Sequence, residues 1–321
     1  MLRSMDSVTT AQTPSPTWSA HLPGWALARG RDIAEIDAAF AAGIALKSLD
    51  DLIRADPSWI GCWRDRLALK SAAVAARMLG RNEEEDALRD AILLTPAEGD
   101  PGPAGKLFLA TRLLARQSRM PGTPLVGELA TLLSIRWDDN LASITDLIDT
   151  TIQSGRAAPL AVADLISAIA TLRPDAEALS LGLADVVLAL KLKWPKPVPL
   201  ILPARFSSAF RTIGGRGRAR PGEPAYSKAI CLALVDGVEA ALHSAAEINR
   251  RAARLVAVTP KLRTKGAEPV IRKLLNDDAV SATSPGGQLS RWAASRLFER
   301  LEAHDAVREL SGRSSFRIFG L

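Results

Sequence analysis

The sequence predicts a mainly α protein, a multi-helical array closed by a small C-terminal unit that ends in a β-hairpin. Three observations carry this. Ala and Leu dominate while aromatic residues make up only 5% of the chain, a mixture that favours helix over sheet. Apolar residues recur at spacings of three and four through most of residues 32–192 and again over 224–258, with short connections between runs. Only near the end, where Phe316 and Ile318 alternate with Arg317 and Phe319, does the period fall to two.

Taken in order, residues 1–30 read as an irregular arm with Pro14, Pro16, Pro23 and Gly24, anchored by Trp18 and Trp25. Residues 31–193 read as a helical domain. Its first helix carries Ile33, Ile36, Phe40 and Ile44 on one stripe and stops at Asp56-Pro57. The next turns Trp59, Trp63, Leu67 and Val74 inward and stops at Gly80. Asn82 is placed to cap a third, with Glu83, Glu84 and Glu85 in its first turn complementing the helix dipole. Further helices are expected from Pro103 to Gln117, Leu125–Ile135, Asp139–Gln153, Ala158–Leu172 and Asp175–Leu192. Residues 194–223 open on Trp194-Pro-Lys-Pro-Val-Pro199, which cannot be helix interior, and read as a Pro-rich and basic linker or loop. Residues 224–260 form a long helix with Ile230, Leu234, Val238 and Leu242 on one stripe, and 261–321 form the C-terminal unit.

The charge is uneven. Residues 1–190 hold 18 Lys/Arg against 24 Asp/Glu, residues 191–220 hold 8 basic residues and no acid, and residues 246–321 hold 14 against 8. A basic second half suits an anionic partner; equally, the two halves could attract each other within one molecule. Cys62 and Cys231 are far apart and outside any metal or redox spacing, so both read as buried core thiols in a reducing compartment. The start lacks a signal-peptide pattern and the most apolar runs are too short to span a bilayer, so the expected location is the cytoplasm, without a membrane partner.

Catalytic fingerprints are missing. His21, His243 and His304 sit in no zinc-binding spacing, and no nucleophile elbow, kinase or dinucleotide pattern occurs, so neither a metal, a cofactor nor an enzymatic role is expected. The three consecutive glutamates read as a solvated helix N-terminus. In the loop Gly214–Gly222, glycines free backbone N–H groups and Arg216, Arg218 and Arg220 could fork onto phosphate oxygens, although the phosphate-loop pattern is absent.

The C-terminus is the most informative part. Ala267–Asn276 reads as a helix, Ser281–Gln288 as a short turn-rich element, and Ser290 caps a strong helix to about His304. A hairpin with Gly312 in its turn follows. Helix, short element, helix and two-stranded wing is the order of a winged helix. In the penultimate helix Ala294, Leu297, Phe298 and Leu301 cluster on one side, while Trp292, Ser295, Arg296 and Glu299 lie on the other with Arg291 and Arg300 flanking. Such a face could enter a major groove, with the helix N-terminus at Ser290 toward phosphate and Arg313 at the hairpin tip reaching backbone or minor groove.

Several segments also resemble an uncharacterised bacterial family, domain of unknown function 1403, found largely in rhizobia and related alphaproteobacteria. They are Pro23-Gly-Trp25, Asp37–Phe40, Trp63–Lys70, Leu192–Pro199, Val258–Gly266 and Val307–Leu321. The resemblance runs through nearly the whole chain and implies no activity. Arg308–Arg313 also looks like the winged-helix tail of Fic-type proteins, but the Fic catalytic pattern, His-Pro-Phe with Gly-Asn-Gly-Arg, is absent, so nucleotidyl transfer is not implied.

The function these features point to is duplex-DNA binding, in a possible transcriptional regulator, through Ser290, Arg291, Trp292, Ser295, Arg296, Arg300 and Arg313. The alternative is a helical module that docks a protein partner or a second copy; an enzyme outside known motifs is the third reading.

Overall fold

The computed structural model describes residues 18–25, 33–96, 98–212, 217–262, 264, 266–283, 285, 289–313 and 315–321. Through residue 192 the described elements are helices: α1 (Glu35–Ala55), α2 (Ile60–Met78), α3 (Glu85–Leu93), α4 (Gly102–Arg116), α5 (Thr123–Leu132), α6 (Asp139–Ala142), α7 (Ile144–Gln153), α8 (Ala158–Leu172) and α9 (Glu177–Leu192). The 33-residue α10 (Tyr226–Val258) follows, then α11 (Ala267–Asn276), β1 (Val280–Ser281), α12 (Arg291–Ala303), β2 (Arg308–Glu309) and β3 (Ile318–Gly320).

Local chemistry sets the boundaries. Asp56 adopts the left-handed region ahead of Pro57 and ends α1, and Gly80 does the same beyond α2. Thr259-Pro260 ends α10 in a 3-10 turn. Two expectations need correction. Asn82 is not a cap: α3 begins at Glu85, so Glu83 lies outside it and pairs with Arg81. The segment 139–153 is two helices, separated at Ser143.

The core is continuous from Trp18 to Leu321, and α10 is its axis. α1 and α8 pack along α10, α2 packs on α3 and α4, and α8 on α9. The packed face of α1 is not its large apolar stripe. Ile36 and Phe40 are 78% and 64% exposed, while Ala38, Ala41, Ala42, Ala45 and Leu49 are buried. Small side chains let two helix backbones approach closely, and α10 has Ala233, Ala241 and Ala245 among its buried residues. In the arm, Trp18 packs edge-on against Trp59, whereas Trp25 is 78% exposed and anchors nothing.

The Pro-rich segment enters the core. Val198, Leu200, Ile201 and Leu202 are buried, and the Asp185 carboxyl oxygens of α9 accept the N–H groups of Leu200 and Ile201. Proline and extended backbone leave amides that no helix satisfies, and Asp185 satisfies two of them. Gly237 makes room, since a Cβ there would lie 2.6 Å from the Leu200 carbonyl oxygen. α10 also has the length and mean hydropathy of a membrane span, but 67% of its most apolar window is buried in this core.

Candidate nucleic-acid interface

The C-terminal unit is built around a three-stranded antiparallel sheet in the order β1-β3-β2. The third strand, β1, is an addition to the hairpin read from the sequence. It pairs Val280 with Phe319 and Ser281 with Ile318. As the central strand, β3 is covered on both faces, so Ile318, Phe319 and Gly320 are all buried. The period-two reading fails at Phe316, which is 53% exposed with a positive φ, in the turn before the strand. Phe319 stacks on Phe298 of α12 with ring centroids 4.5 Å apart, fixing α12 across the sheet.

Charge fixes the unit on the helical body. Asp278 is buried between Arg66 of α2 and Arg89 of α3, which hold its carboxyl below the usual range against the burial that raises it. Arg66 also donates to the Asp278 and Leu321 carbonyl oxygens at 3.2 Å. Arg116 of α4 bridges Asp65 at 2.7 Å and Asp277 at 3.1 Å. Burial lifts the Asp65 carboxyl to about 6, with Arg116 opposing. At the hairpin tip Arg313 pairs with Asp90 of α3, and Arg254 of α10 pairs with Asp305 beyond α12. The two halves of the chain therefore attract each other within the molecule, partly through acids of the basic half held by arginines of the acidic half.

On α12 the apolar side chains Ala294, Leu297, Phe298 and Leu301 are fully buried. At 100° per residue the opposite half-cylinder runs Arg291, Glu302, Ser295, Glu299, Trp292, Ala303, Arg296, Arg300. Arg291, Arg296, Glu299 and Arg300 are exposed, Ser295 is half-buried, and Trp292 is 67% exposed. The Arg296 guanidinium lies 3.8 Å from the centroid of the Trp292 ring, a stacking that presents it flat. Ser290 caps the helix, its hydroxyl accepting the Ala293 N–H at 3.3 Å, and is itself exposed.

The nearby acids are engaged. Glu299 accepts from Ser295 at 3.2 Å and Glu302 pairs with Arg317 at 2.9 Å. Arg291, Arg296 and Arg300 have no ion-pair partner among the described residues, and Arg300 reaches the Lys261 carbonyl at 3.4 Å. Arg313 stands apart from this face, because its guanidinium is committed to Asp90.

The 205–220 loop is a different place. Its described residues pack on α10, where Phe210 meets Tyr226 with ring centroids 6.1 Å apart, on the order of 40 Å along that helix from Arg254 at 1.5 Å per residue. Arg216 lies outside the described residues. Arg218 turns inward: it donates to the Arg205 and Ser207 carbonyls at 2.6 and 2.9 Å and lies over the Phe206 and Phe210 rings. Ala219 N–H donates to the Phe210 carbonyl, and the Arg218 guanidinium takes up carbonyls of the preceding segment. Burial, then Arg205 and Arg211, lower its pKa. Arg220 is exposed. Of the three arginines expected to form an anion site, Arg218 serves the loop and Arg220 is exposed, while Arg216 lies outside the described residues.

Both thiols are buried, and burial raises each to about 12. His243 is on the surface of α10, 3.6 Å from Glu247. Among the described residues no cluster of His, Cys, Asp or Glu has metal-binding geometry.

Fold and site together define a mainly helical protein that carries an exposed Arg/Trp helix face on a small C-terminal sheet. Residues 10–321 match the family model described as protein of unknown function (DUF1403), and the chain belongs to that family. No curated protein matches it.

Proposed function

We propose that the chain binds duplex DNA through the exposed face of α12, with 261–321 acting as a winged helix and the helical body as its regulatory partner. The observation that carries this is the arc Arg291, Trp292, Arg296, Arg300: three cations without ion-pair partners among the described residues, on a helix whose other side is fully committed to the core. The order helix, strand, helix, two-stranded wing supports it, as do the exposed Ser290 cap and the pairing of Glu302 with Arg317. Arg296, held on Trp292, is suited to a guanine edge, and Arg291 and Arg300 to flanking phosphates. A cytoplasmic location goes with this reading.

Sequence selection from a randomised duplex library, read by mobility shift, tests it. Wild type retards duplex DNA at low salt, and Arg296→Ala changes the selected sequence, at about 1–3 kcal/mol for the base it reads. An absence of retardation at low salt overturns the proposal and leaves Trp292 and Phe316 as an exposed aromatic surface for docking protein.

A further inference from the structure

His243, Glu247, Arg250, Arg251 and Arg254 follow one another along α10 at spacings of four, three, one and three, so they share one face. Two cavities adjoin it. The first, about 190 Å³, is lined by Glu247, Arg250, Arg251, Arg254 and Asp305. The second, about 320 Å³, is lined by Trp18, His21, His243 and Asn249 together with Glu247 and Arg250. Glu247 and Arg250 line both, so the two cavities adjoin as a cleft with a guanidinium-rich end and a ring-lined end.

The guanidinium end carries unspent positive charge. Asp305 is paired with Arg254, and Glu247 faces His243. Arg250 and Arg251 have no ion-pair partner among the described residues, and the Arg251 Nε is buried without a hydrogen-bond acceptor. Arg308 of β2 adds to this: partial burial, then the fields of Arg66 and Arg251, lower its pKa. A buried donor without an acceptor, among crowded guanidiniums at a cavity wall, calls for an anion with several oxygens, and forked N–H donors match phosphate best. At the other end Trp18, His21 and His243 line the larger cavity, and rings there suit a planar heterocycle. The larger cavity alone has the size of a small-ligand site.

We propose that this cleft binds a mononucleotide-class ligand, its phosphate on Arg250 and Arg251 and its base beside Trp18 and His21. The site shares no side chain with the α12 face, so it stands or falls apart from the DNA reading.

Titration calorimetry on the full chain, without DNA, tests it with inorganic phosphate, a nucleoside and a panel of ribonucleoside monophosphates. At least one monophosphate binds about tenfold more tightly than phosphate or the nucleoside, because both ends of the cleft contribute. Arg251→Gln weakens that binding by about tenfold, and Glu247→Gln tightens it severalfold by removing the carboxylate common to both cavities. Circular dichroism confirms that each variant is folded; if Arg251→Gln is not, Arg250→Ala, at an exposed position, carries the same test. Failure of every monophosphate to bind, equal affinity for phosphate and monophosphates, or binding indifferent to these arginines overturns the proposal.

Discussion

At the scale of the residue, two buried aspartates show opposite solutions to the same cost. Asp185 faces only backbone N–H groups, and burial pushes its carboxyl up to about 8 despite them. The neutral form is therefore the one the fold favours, and its contribution is full below the ordinary carboxylate range and lost as pH rises through 8. Urea denaturation of wild type and Asp185→Asn should show this. The variant is less stable by about 1–3 kcal/mol at pH 4, where its amide cannot reproduce both accepted bonds, and the gap narrows toward pH 8. A gap that widens with pH would contradict it. Asp278 instead sits between Arg66 and Arg89, which hold it ionised. Removing one partner of such a buried pair leaves charge uncompensated, so Arg66→Ala should cost about 3–5 kcal/mol in the same assay. Neither aspartate was legible as special in the sequence. Asp185 is one acid in an apolar run and Asp278 one of a pair; their roles come from partners 15 and 212 residues away.

At the scale of the element, helix positions were legible and helix faces only partly so. Ala158–Leu172 and Ala267–Asn276 follow the apolar period and their flanking breakers to the residue, and the α12 wheel separates buried from exposed side chains correctly. α1 shows where periodicity misleads. Ile36 and Phe40 lie on the stripe that the spacing marks, yet the buried side carries Ala38, Ala41, Ala42 and Ala45, then Leu46, Leu49, Leu52 and Ile53, because interaxial distance depends on side-chain size at the contact. Ala42→Leu should then cost about 1–3 kcal/mol by overpacking. Phe40→Ser should change thermal stability by no more than about 0.5 kcal/mol. The reverse ranking would put α1 the other way round. β1 was missed because two residues carry no period, and the Pro-rich segment read as a linker because its amides find their acceptor in α9, not locally.

At the scale of the whole molecule, the uneven charge has two outlets. One is internal, through Arg313–Asp90 and Arg254–Asp305, which help seat the C-terminal unit on the body. The other is the α12 arc, whose three arginines have no ion-pair partner among the described residues, with the acid Glu299 between them. Sequence reasoning placed Arg313 with the second group, since Asp90 lies 223 residues away and no spacing announces the pair. This division makes a prediction: Arg313→Ala leaves the salt dependence of DNA binding unchanged, whereas each arginine of the arc that touches phosphate lowers its slope by about 0.9. The central claim is tested most directly by fluorescence anisotropy of a labelled duplex over a range of salt, comparing wild type with the triple variant Arg291→Ala, Arg296→Ala, Arg300→Ala. The account predicts that log affinity falls linearly with log salt for wild type and that the triple variant, still folded, binds more weakly with a slope shallower by about 2. Wild type that fails to bind at low salt, or a triple variant with the wild-type slope, would contradict it.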